Sequence, residues 1–393
     1  MAGSVIIAGA RTPIGKLLGA LAGFSATDLG GLAISAALER AGVAPTDVDY
    51  VFMGHGLQAG QGQITARQAA VKAGIPMSVP ATTVNKVCLS GLNAIYLADL
   101  LVAAGEAEVV VAGGMESMTR APYLLAGARA GYRTGDATVV DSMMYDGLYC
   151  QFDDCAMGLG TERYNEKVGI TREAQDAFAA LSHERAAAAI KEGRLTDEIV
   201  AVSVPQRKGD PVIFDTDEGV RPGTTPESLK GLKPAFEKNG TITAGNASQI
   251  SDAAAAVVVT SKARAERLGI APLGEIMSYG QVAGPDASLL FQPALATRQA
   301  LGRISKSVTD VDLFEINEAF ATVSLASMAE LGVTEETTNV NGGAIALGHP
   351  IGMSGTRLAL TLLHELRRRG GGLGVASLCG GGGQGDALAV RSA

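Results

Sequence analysis

Thr46-Asp47-Val48-Asp49-Tyr50-Val51-Phe52 returns later in the chain as Thr309-Asp310-Val311-Asp312-Leu313-Phe314, an offset of 263 residues. A second pair keeps almost the same offset, 264 residues. Ser90-Gly91 opens an apolar segment that ends in Val109-Val110-Val111-Ala112-Gly113-Gly114. Ser354-Gly355 opens Thr356 to Leu366, followed by Gly374-Val375-Ala376-Ser377-Leu378-Cys379-Gly380. Two distant anchors in one register mark two copies of one unit. In each copy a strand precedes a Ser-Gly helix start, the helix follows, and a second strand ends at glycines. The unbroken run Val109–Val111 reads as a buried strand. Leu92, Ile95, Tyr96, Leu97, Leu100 and Leu101 leave the helix before it little polar face, which predicts a helix enclosed between layers. Sheets covered by helices on both sides, some of them enclosed, give a layered α/β architecture.

Between the copies, from about Thr119 to Gln249, the chain is richer in charge, glycine and turn residues. One helix is legible there: Thr171 caps it, Glu173 favours its first turn and Gly193 ends it. Pro205 to Gly240 is broken and polar, with Arg207, Lys208, Arg221, Lys230, Lys233 and Lys238. The pattern predicts an insertion over residues 119–249. The first unit then comprises residues 1–118 plus 250–270, resuming at Ser251-Asp252-Ala253, and the second comprises 271–393.

The 393 residues are 47% hydrophobic yet only 4% aromatic, without tryptophan. Such a chain buries a large core built from small side chains and is not disorder-like. A net charge of −8 argues against nucleic acid as a bulk partner. Cys88, Cys150, Cys155 and Cys379 form neither a CxxC pair nor a zinc spacing, so free thiols in a reducing compartment are expected, with no metal site. Met1 to Ala10 runs straight into the expected first strand, Val5 to Ala10, without a signal-peptide pattern. No apolar run approaches the roughly 20 residues that cross a bilayer. A soluble cytoplasmic protein is the expectation.

Scarce reactive side chains sit in glycine-rich frames. Cys88, in Asn85-Lys86-Val87-Cys88-Leu89-Ser90-Gly91, lies at a helix start where the dipole favours a thiolate; its alternative is a buried structural cysteine. His349, in Gly348-His349-Pro350, is explained by no helical or strand period and suits a proton acceptor, or else caps a turn. Asn317, in Asn317-Glu318-Ala319-Phe320, follows a strand, where an amide suits holding a water or donating to an oxyanion; a helix cap with an acidic first turn accounts for it equally well. Cys379 precedes four glycines whose N–H groups suit a developing negative charge, or form a tight turn. His183 and His364 read as ordinary polar-face residues. His55 lies between glycines without a partner motif.

With these residues in view, the chain resembles the thiolase family, most closely its acetyl-CoA acetyltransferase (acetoacetyl-CoA thiolase) branch. The resemblance spans almost the whole length: Arg11-Thr12-Pro13-Ile14-Gly15, the Cys88 segment, Gly113-Gly114-Met115-Glu116-Ser117-Met118, Thr243-Ala244-Gly245-Asn246-Ala247-Ser248, Asn317-Glu318-Ala319-Phe320-Ala321, the stretch from Gly342 to Gly355, and Cys379-Gly380. It implies a thiolase-like duplicated five-layered αβαβα core with an inserted loop domain that holds coenzyme A. Cys88 would carry the acyl group. His349 would activate it and, with a water on Asn317, stabilise a thioester oxygen. Cys379 would move the α-proton, and the N–H groups of Cys88 and Gly381 would form the other oxyanion site. Acetyl-CoA, acetoacetyl-CoA and CoA are the implied partners, with CoA as substrate and product and no further cofactor.

In the inserted domain the resemblance implies that Ser248 contacts the pantetheine arm and Arg221 the nucleotide end. Leu148, Met157, Phe236, Ala244, Ala319 and Phe320 would line the tunnel. A homotetramer of two dimers is implied, linked through an arm from about Pro122 to Asp141. Two departures border the family's tunnel and bear on acyl-chain length: Ala156, where many members carry histidine, and Phe291-Gln292-Pro293, where many have a Gly-Pro pair. A degradative 3-ketoacyl-CoA thiolase of longer chain preference is the nearest alternative. A β-ketoacyl synthase would place histidine at the position of Cys379, and a non-catalytic acyl-CoA scaffold would not need all three reactive side chains.

Overall fold

The structure, a computed structural model, describes residues 3–393; Met1 and Ala2, at the head of the first expected unit, lie outside the described residues. The first copy contributes β1 (Ser4–Arg11), β2 (Tyr50–Gly54), β3 (Ala81–Val84), β4 (Val109–Ser117) and β5 (Ser251–Ser261). The second contributes β6 (Gly274–Ala283), β7 (Leu313–Ile316), β8 (Gly372–Gly380) and β9 (Gln384–Ser392). Hydrogen bonding orders them β7-β8-β9-β6-β1-β5-β4-β2-β3. The duplication is visible in the pairing. β2 runs parallel to β4 and β7 parallel to β8, whereas β4 pairs antiparallel with β5 and β8 with β9. The two Thr-Asp-Val-Asp segments also match, each forming a short 3-10 turn before its strand. The halves join edge to edge through two residue pairs, Val5 with Glu275 and Ile6 with Gly274.

Helices follow the same duplication: α1 (Ala26–Ala41), α2 (Thr65–Lys72), α3 (Ser90–Ala103), α4 (Met157–Val168), α5 (Arg172–Lys191), α6 (Gln292–Arg303), α7 (Ala321–Leu331) and α8 (Ser354–Arg368). α1 and α2 cover the outer face of the first half-sheet, and α6 and α7 that of the second. α3 and α8 share the inner core between them, through Leu92, Ile95, Leu358 and Leu362. That stacking makes five layers, αβαβα. One expectation fails in part. α3 has α8 on one side, but its far side lacks a cover: Leu100 is 46% exposed and Tyr96, Leu97 and Leu101 are half-buried.

Local signals explain several ends. Ser25 and Asp28 form a reciprocal capping box on α1, and Gly42 closes it at φ 63°. Thr171 caps α5, accepting from the Ala174 N–H at 3.3 Å, and Gly193 follows the helix at φ 72°. Residues 119–249 add no strand to the large sheet and form only short two-stranded ribbons beside α4 and α5. They are tied to the first repeat by buried charge: Arg11 donates to Glu198 at 2.6 Å and to Asp217 at 2.7 Å.

The two inner helices start at their Ser-Gly pairs because the backbones touch there. A β-carbon on Gly91 would lie 2.9 Å from the Gly352 carbonyl oxygen, and one on Gly54 2.7 Å from the same atom. On Gly114 it would overlap that oxygen outright. The Thr356 hydroxyl adds a hydrogen bond to the Gly91 carbonyl at 3.1 Å. Gly114→Ala is expected to destabilise the fold by about 3 kcal/mol, because backbone has to yield on both sides. Gly302→Ala, in a helix with open space around it, should be neutral or gain up to about 1 kcal/mol. Urea unfolding of both variants checks this; equal stabilities would remove the close approach from the account.

Candidate active site

The Cys88 loop is built by a short hydrogen-bonded turn. The Lys86 N–H donates to the Ser90 hydroxyl at 2.8 Å, that hydroxyl donates to the Val87 carbonyl at 2.6 Å, and Asn85 donates to the Gly56 carbonyl at 3.0 Å. Val87 is held at φ 50°, a left-handed conformation that a β-branched residue rarely adopts and that surrounding structure has to impose. The turn sets Cys88 among Leu57, Leu148, Ile250 and Ile351. The residue keeps some surface exposure, yet burial pushes its thiol up to about 12, with the Glu116 charge adding to the rise. This corrects the expectation of a dipole-stabilised thiolate: desolvation outweighs the helix start, and the resting thiol is neutral.

His349 lies in the second repeat, on the loop that leads into α8. Its Nδ1 is 2.6 Å from the Ser354 hydroxyl, which itself donates to the Pro350 carbonyl at 3.0 Å. That chain assigns the ring proton to Nδ1 and leaves Nε2 a lone pair. Asn317 Nδ2 faces Nε2 at 3.4 Å. Burial, then the charge of Arg357, push the imidazole down to about 3, so it is a neutral acceptor. Asn317 does not cap α7, whose N-cap position is Phe320. Its Oδ1 is buried without a partner, which suits an amide aimed into a site.

Cys379 ends β8 and packs in a cluster with Leu289, Leu290, Ala319 and Val323. Its thiol is raised by burial and next by the charge of Cys88, so ionising either sulfur opposes ionising the other. The four glycines form the β8–β9 hairpin turn, with Gly382 and Gly383 at φ 77° and 66°. Gly380 packs on Leu89, and Gly381 faces Val87, whose Cγ2 would be 3.7 Å from an added β-carbon. A charged clamp fastens the two cysteine loops: Lys86 Nζ reaches Asp386 at 2.7 Å and 2.9 Å, and the Tyr279 hydroxyl donates to Asp386 at 2.7 Å.

A cavity of about 200 Å³ opens on His349. Leu148, Met157, Phe236, Ser248 and Phe320, all expected from the sequence, line it. Phe236 and Phe320 meet edge to face, with ring centroids 6.1 Å apart and ring planes at 83°. Ala319 stands behind the wall in the Cys379 cluster, and its carbonyl accepts from the Ser248 N–H at 3.1 Å. Ala244 and Arg221 do not line it; both are exposed, because the turn 243–246 points Ala244 outward and Arg221 sits on a surface loop. Ala156 is also outside the lining and pairs its backbone with Tyr149. Phe291 packs against the Cys379 cluster, and Gln292 donates to the Gly284 carbonyl at 2.9 Å.

The histidines set aside from the sequence are less ordinary than expected. His183 is buried, accepts from the Arg221 N–H at 3.1 Å, and is pushed down to about 4 by burial and by Arg221. His364 is half-buried, with Nε2 unpartnered. His55 is buried between Thr65, at 2.9 Å, and Glu116, at 3.3 Å. Supporting residues went unread: Ser354, which orients His349; Glu116, which accepts from the N–H groups of Gly56, Leu57 and Gly352; and Glu318, which accepts from Ser182, Asn339 and the Ile345 N–H. Glu116 and Glu318 lie inside the motifs at residues 113–118 and 317–321, so their presence is visible in the sequence; their partners come from distant segments.

This is the fold of an acyltransferase enzyme, and it brings two thiols and one imidazole from two repeats to the wall of one cavity. The family models for the thiolase N-terminal domain and the thiolase C-terminal domain match residues 4–263 and 270–392. The chain belongs to the thiolase family. It is 60% identical over 98% of its length to the whole of a probable acetyl-CoA acetyltransferase of Mycolicibacterium smegmatis. It is 58% identical to the one of Mycobacterium tuberculosis, with full coverage of both chains, and 54% identical to the acetyl-CoA acetyltransferase of Cupriavidus necator, over 98% of each.

Two measurements probe this geometry. Asp386→Ala strands the part-buried Lys86 ammonium and should cost about 3 kcal/mol in urea unfolding; a loss under about 1 kcal/mol would show that the clamp does not hold the loops. A histidine kept neutral by the fold takes up its proton on unfolding. Stability is therefore full above the ordinary value of 6.5 and declines as pH falls toward the folded values of about 4 and about 3. His183→Gln should shrink the stability lost between pH 7 and pH 5 by about 2 kcal/mol; an unchanged loss would contradict the burial of that ring.

Proposed function

We propose that this chain is an acetyl-CoA C-acetyltransferase that joins two acetyl-CoA into acetoacetyl-CoA and CoA, reversibly, by a ping-pong route through Cys88. The observation that carries the reading is the neutral His349, its Nε2 lone pair facing Asn317 at an apolar cavity, with the part-exposed Cys88 and the buried Cys379 packed against residues of its wall. Nε2 takes the Cys88 proton as the sulfur attacks the first thioester, and returns it to the departing CoA sulfur. The same nitrogen then takes the Cys379 thiol proton and, so protonated, donates, with a water on Asn317, to the thioester oxygen of the second acetyl-CoA. The Cys379 thiolate removes the methyl proton, the new carbanion attacks the acetyl on Cys88, the N–H groups of Cys88 and Gly381 receive the oxyanion, and the released Cys88 sulfur takes back the proton held on Nε2. The relatives' names and the small cavity support a short acyl group.

CoA acts as substrate and product. Ser248, on the cavity wall, suits the pantetheine arm, and Arg221, exposed on the same insertion, the nucleotide end. The proposed units remain 1–118 with 250–270, 119–249 and 271–393. Four free thiols support a cytoplasmic setting; no helix among the described residues is long and apolar enough to cross a membrane. A homotetramer is supported by the exposed arm, where Leu125, Tyr132 and Val139 are each about half exposed, and by the uncovered side of α3.

Intact-protein mass spectrometry after incubation with a panel of acyl-CoAs tests the nucleophile and the acyl size together. Acetyl is expected on Cys88, and Cys88→Ser should abolish it while CoA still binds. Cys379→Ser should retain acylation and lose condensation; equal loss of both steps would refute the division of labour. A higher kcat/KM with a medium-chain 3-ketoacyl-CoA than with acetoacetyl-CoA would favour the degradative, longer-chain reading.

A further inference from the structure

Cys150 and Cys155 take no part in the chemistry above, yet the fold sets them face to face. They are the paired residues of a two-stranded antiparallel ribbon, Tyr149–Cys150 with Cys155–Ala156. Directly opposed residues in such a ribbon have Cα atoms about 4.5–5.5 Å apart and side chains on one face, inside the roughly 4.4–6.8 Å span that a disulfide bridges. Both are free thiols and both are turned inward, 5% exposed. The ribbon borders the outer mouth of the site, an open hollow of about 600 Å³ lined by Cys150 and Phe152 together with Val87, Met157, Gly381 and Gly382. A small molecule reaches Cys150 from that side. Burial holds the Cys155 thiol above its ordinary value, while the nearby Arg163 charge acts in the other direction.

The turn between the two cysteines touches the catalytic loop. Phe152, at its tip, lays its ring against Gly382, where an added β-carbon would meet Cε2 at 2.8 Å. The tip is tethered from below by the Asp153 N–H, which donates to the Cys150 sulfur at 3.4 Å, and the Tyr149 hydroxyl donates to Asp154 at 2.7 Å. We propose that Cys150 and Cys155 are an oxidisable dithiol, a modification site at the mouth of the cavity, and that a small-molecule disulfide closes them into a bridge that weakens acyl-CoA binding. The Cys150 thiolate attacks one sulfur of the reagent and displaces the first reagent thiol. The Cys155 thiolate attacks the resulting mixed disulfide at the Cys150 sulfur and displaces the second. Two protein S–H bonds are lost, one S–S bond forms, and the reagent leaves as two thiols carrying the two protons and two electrons. The bridge draws the Cys150 sulfur away from the Asp153 N–H, frees the tip, and lifts Phe152 from Gly382, beside the Gly381 oxyanion position.

The test uses the double variant Cys88→Ser/Cys379→Ser, in which Cys150 and Cys155 are the remaining cysteines of the four. It is incubated with oxidised glutathione, alkylated under denaturing conditions and digested with trypsin, which leaves both residues in one peptide, residues 134–163. The expected peptide is unalkylated and lighter by two hydrogens, and dithiothreitol reverses the change. Calorimetry should show acetyl-CoA binding several-fold more weakly to the oxidised form, and adding Cys155→Ala should remove both effects. Two alkylated cysteines, or a stable glutathione adduct, would overturn the dithiol. A complete bridge with unchanged acetyl-CoA affinity would overturn its link to the mouth. The same peptide read from the wild-type protein decides bridge formation even if the double variant fails to fold, and it does so independently of the acetyltransferase reading.

Discussion

One carbonyl oxygen, that of Gly352, holds the two repeats in the relation that the site requires. It presses on Gly54, Gly91 and Gly114 of the other repeat so closely that none of them has room for a β-carbon. The adjoining N–H of Gly352 donates to Glu116 at 3.0 Å, and Glu116 also gathers the N–H groups of Gly56 and Leu57. The loop that bears His349 and the helix start that follows Cys88 are thus fixed by backbone contact. Such contacts tolerate almost no displacement, because interiors are packed at crystal-like density. The proposed placement of a nucleophile and its base on separate repeats requires a seam of this stiffness.

The resting site is electrically quiet. Burial raises both thiols and lowers the imidazole, so Cys88, Cys379 and His349 are all neutral at once. A low-dielectric pocket disfavours any isolated charge. It also strengthens the attraction between charges created together. In the proposed chemistry a thiol therefore ionises favourably only when an acyl group is present to receive the electron pair and donors are present for the oxyanion. The same burial that makes these groups poor acids in isolation suppresses idle reaction with water.

The buried supports around the site follow a common pattern. Glu318, Ser182, Asn339 and the Ile345 N–H hold the loop before His349, and the Glu315–Arg357 pair, at 2.8 Å, braces the strand that leads into Asn317. Ser182 comes from α5 in the inserted segment, so that segment does more than cover the pocket: it carries part of the frame for the imidazole. A motif search sees Asn317 and His349. It does not see that a serine far upstream steadies the backbone between them.

The duplication, the strand–helix–strand order of each copy, the helix capped by Thr171 and the three reactive side chains were all determined by the sequence itself. Those features depend on local period, on turn chemistry and on rare residues in glycine frames, all of which a linear reading contains. Most of the expected cavity wall was legible through the family resemblance. Ionisation states were not: the position of Cys88 at a helix start suggested a thiolate, and only the assembled pocket showed that desolvation wins. Nor were the exposure of Ala244 and Arg221, the burial of His183, the Lys86–Asp386 clamp or the facing of Cys150 and Cys155 across a ribbon. Each of these depends on which distant segments share a surface and how much water remains between them, and that is settled only when the chain has closed on itself.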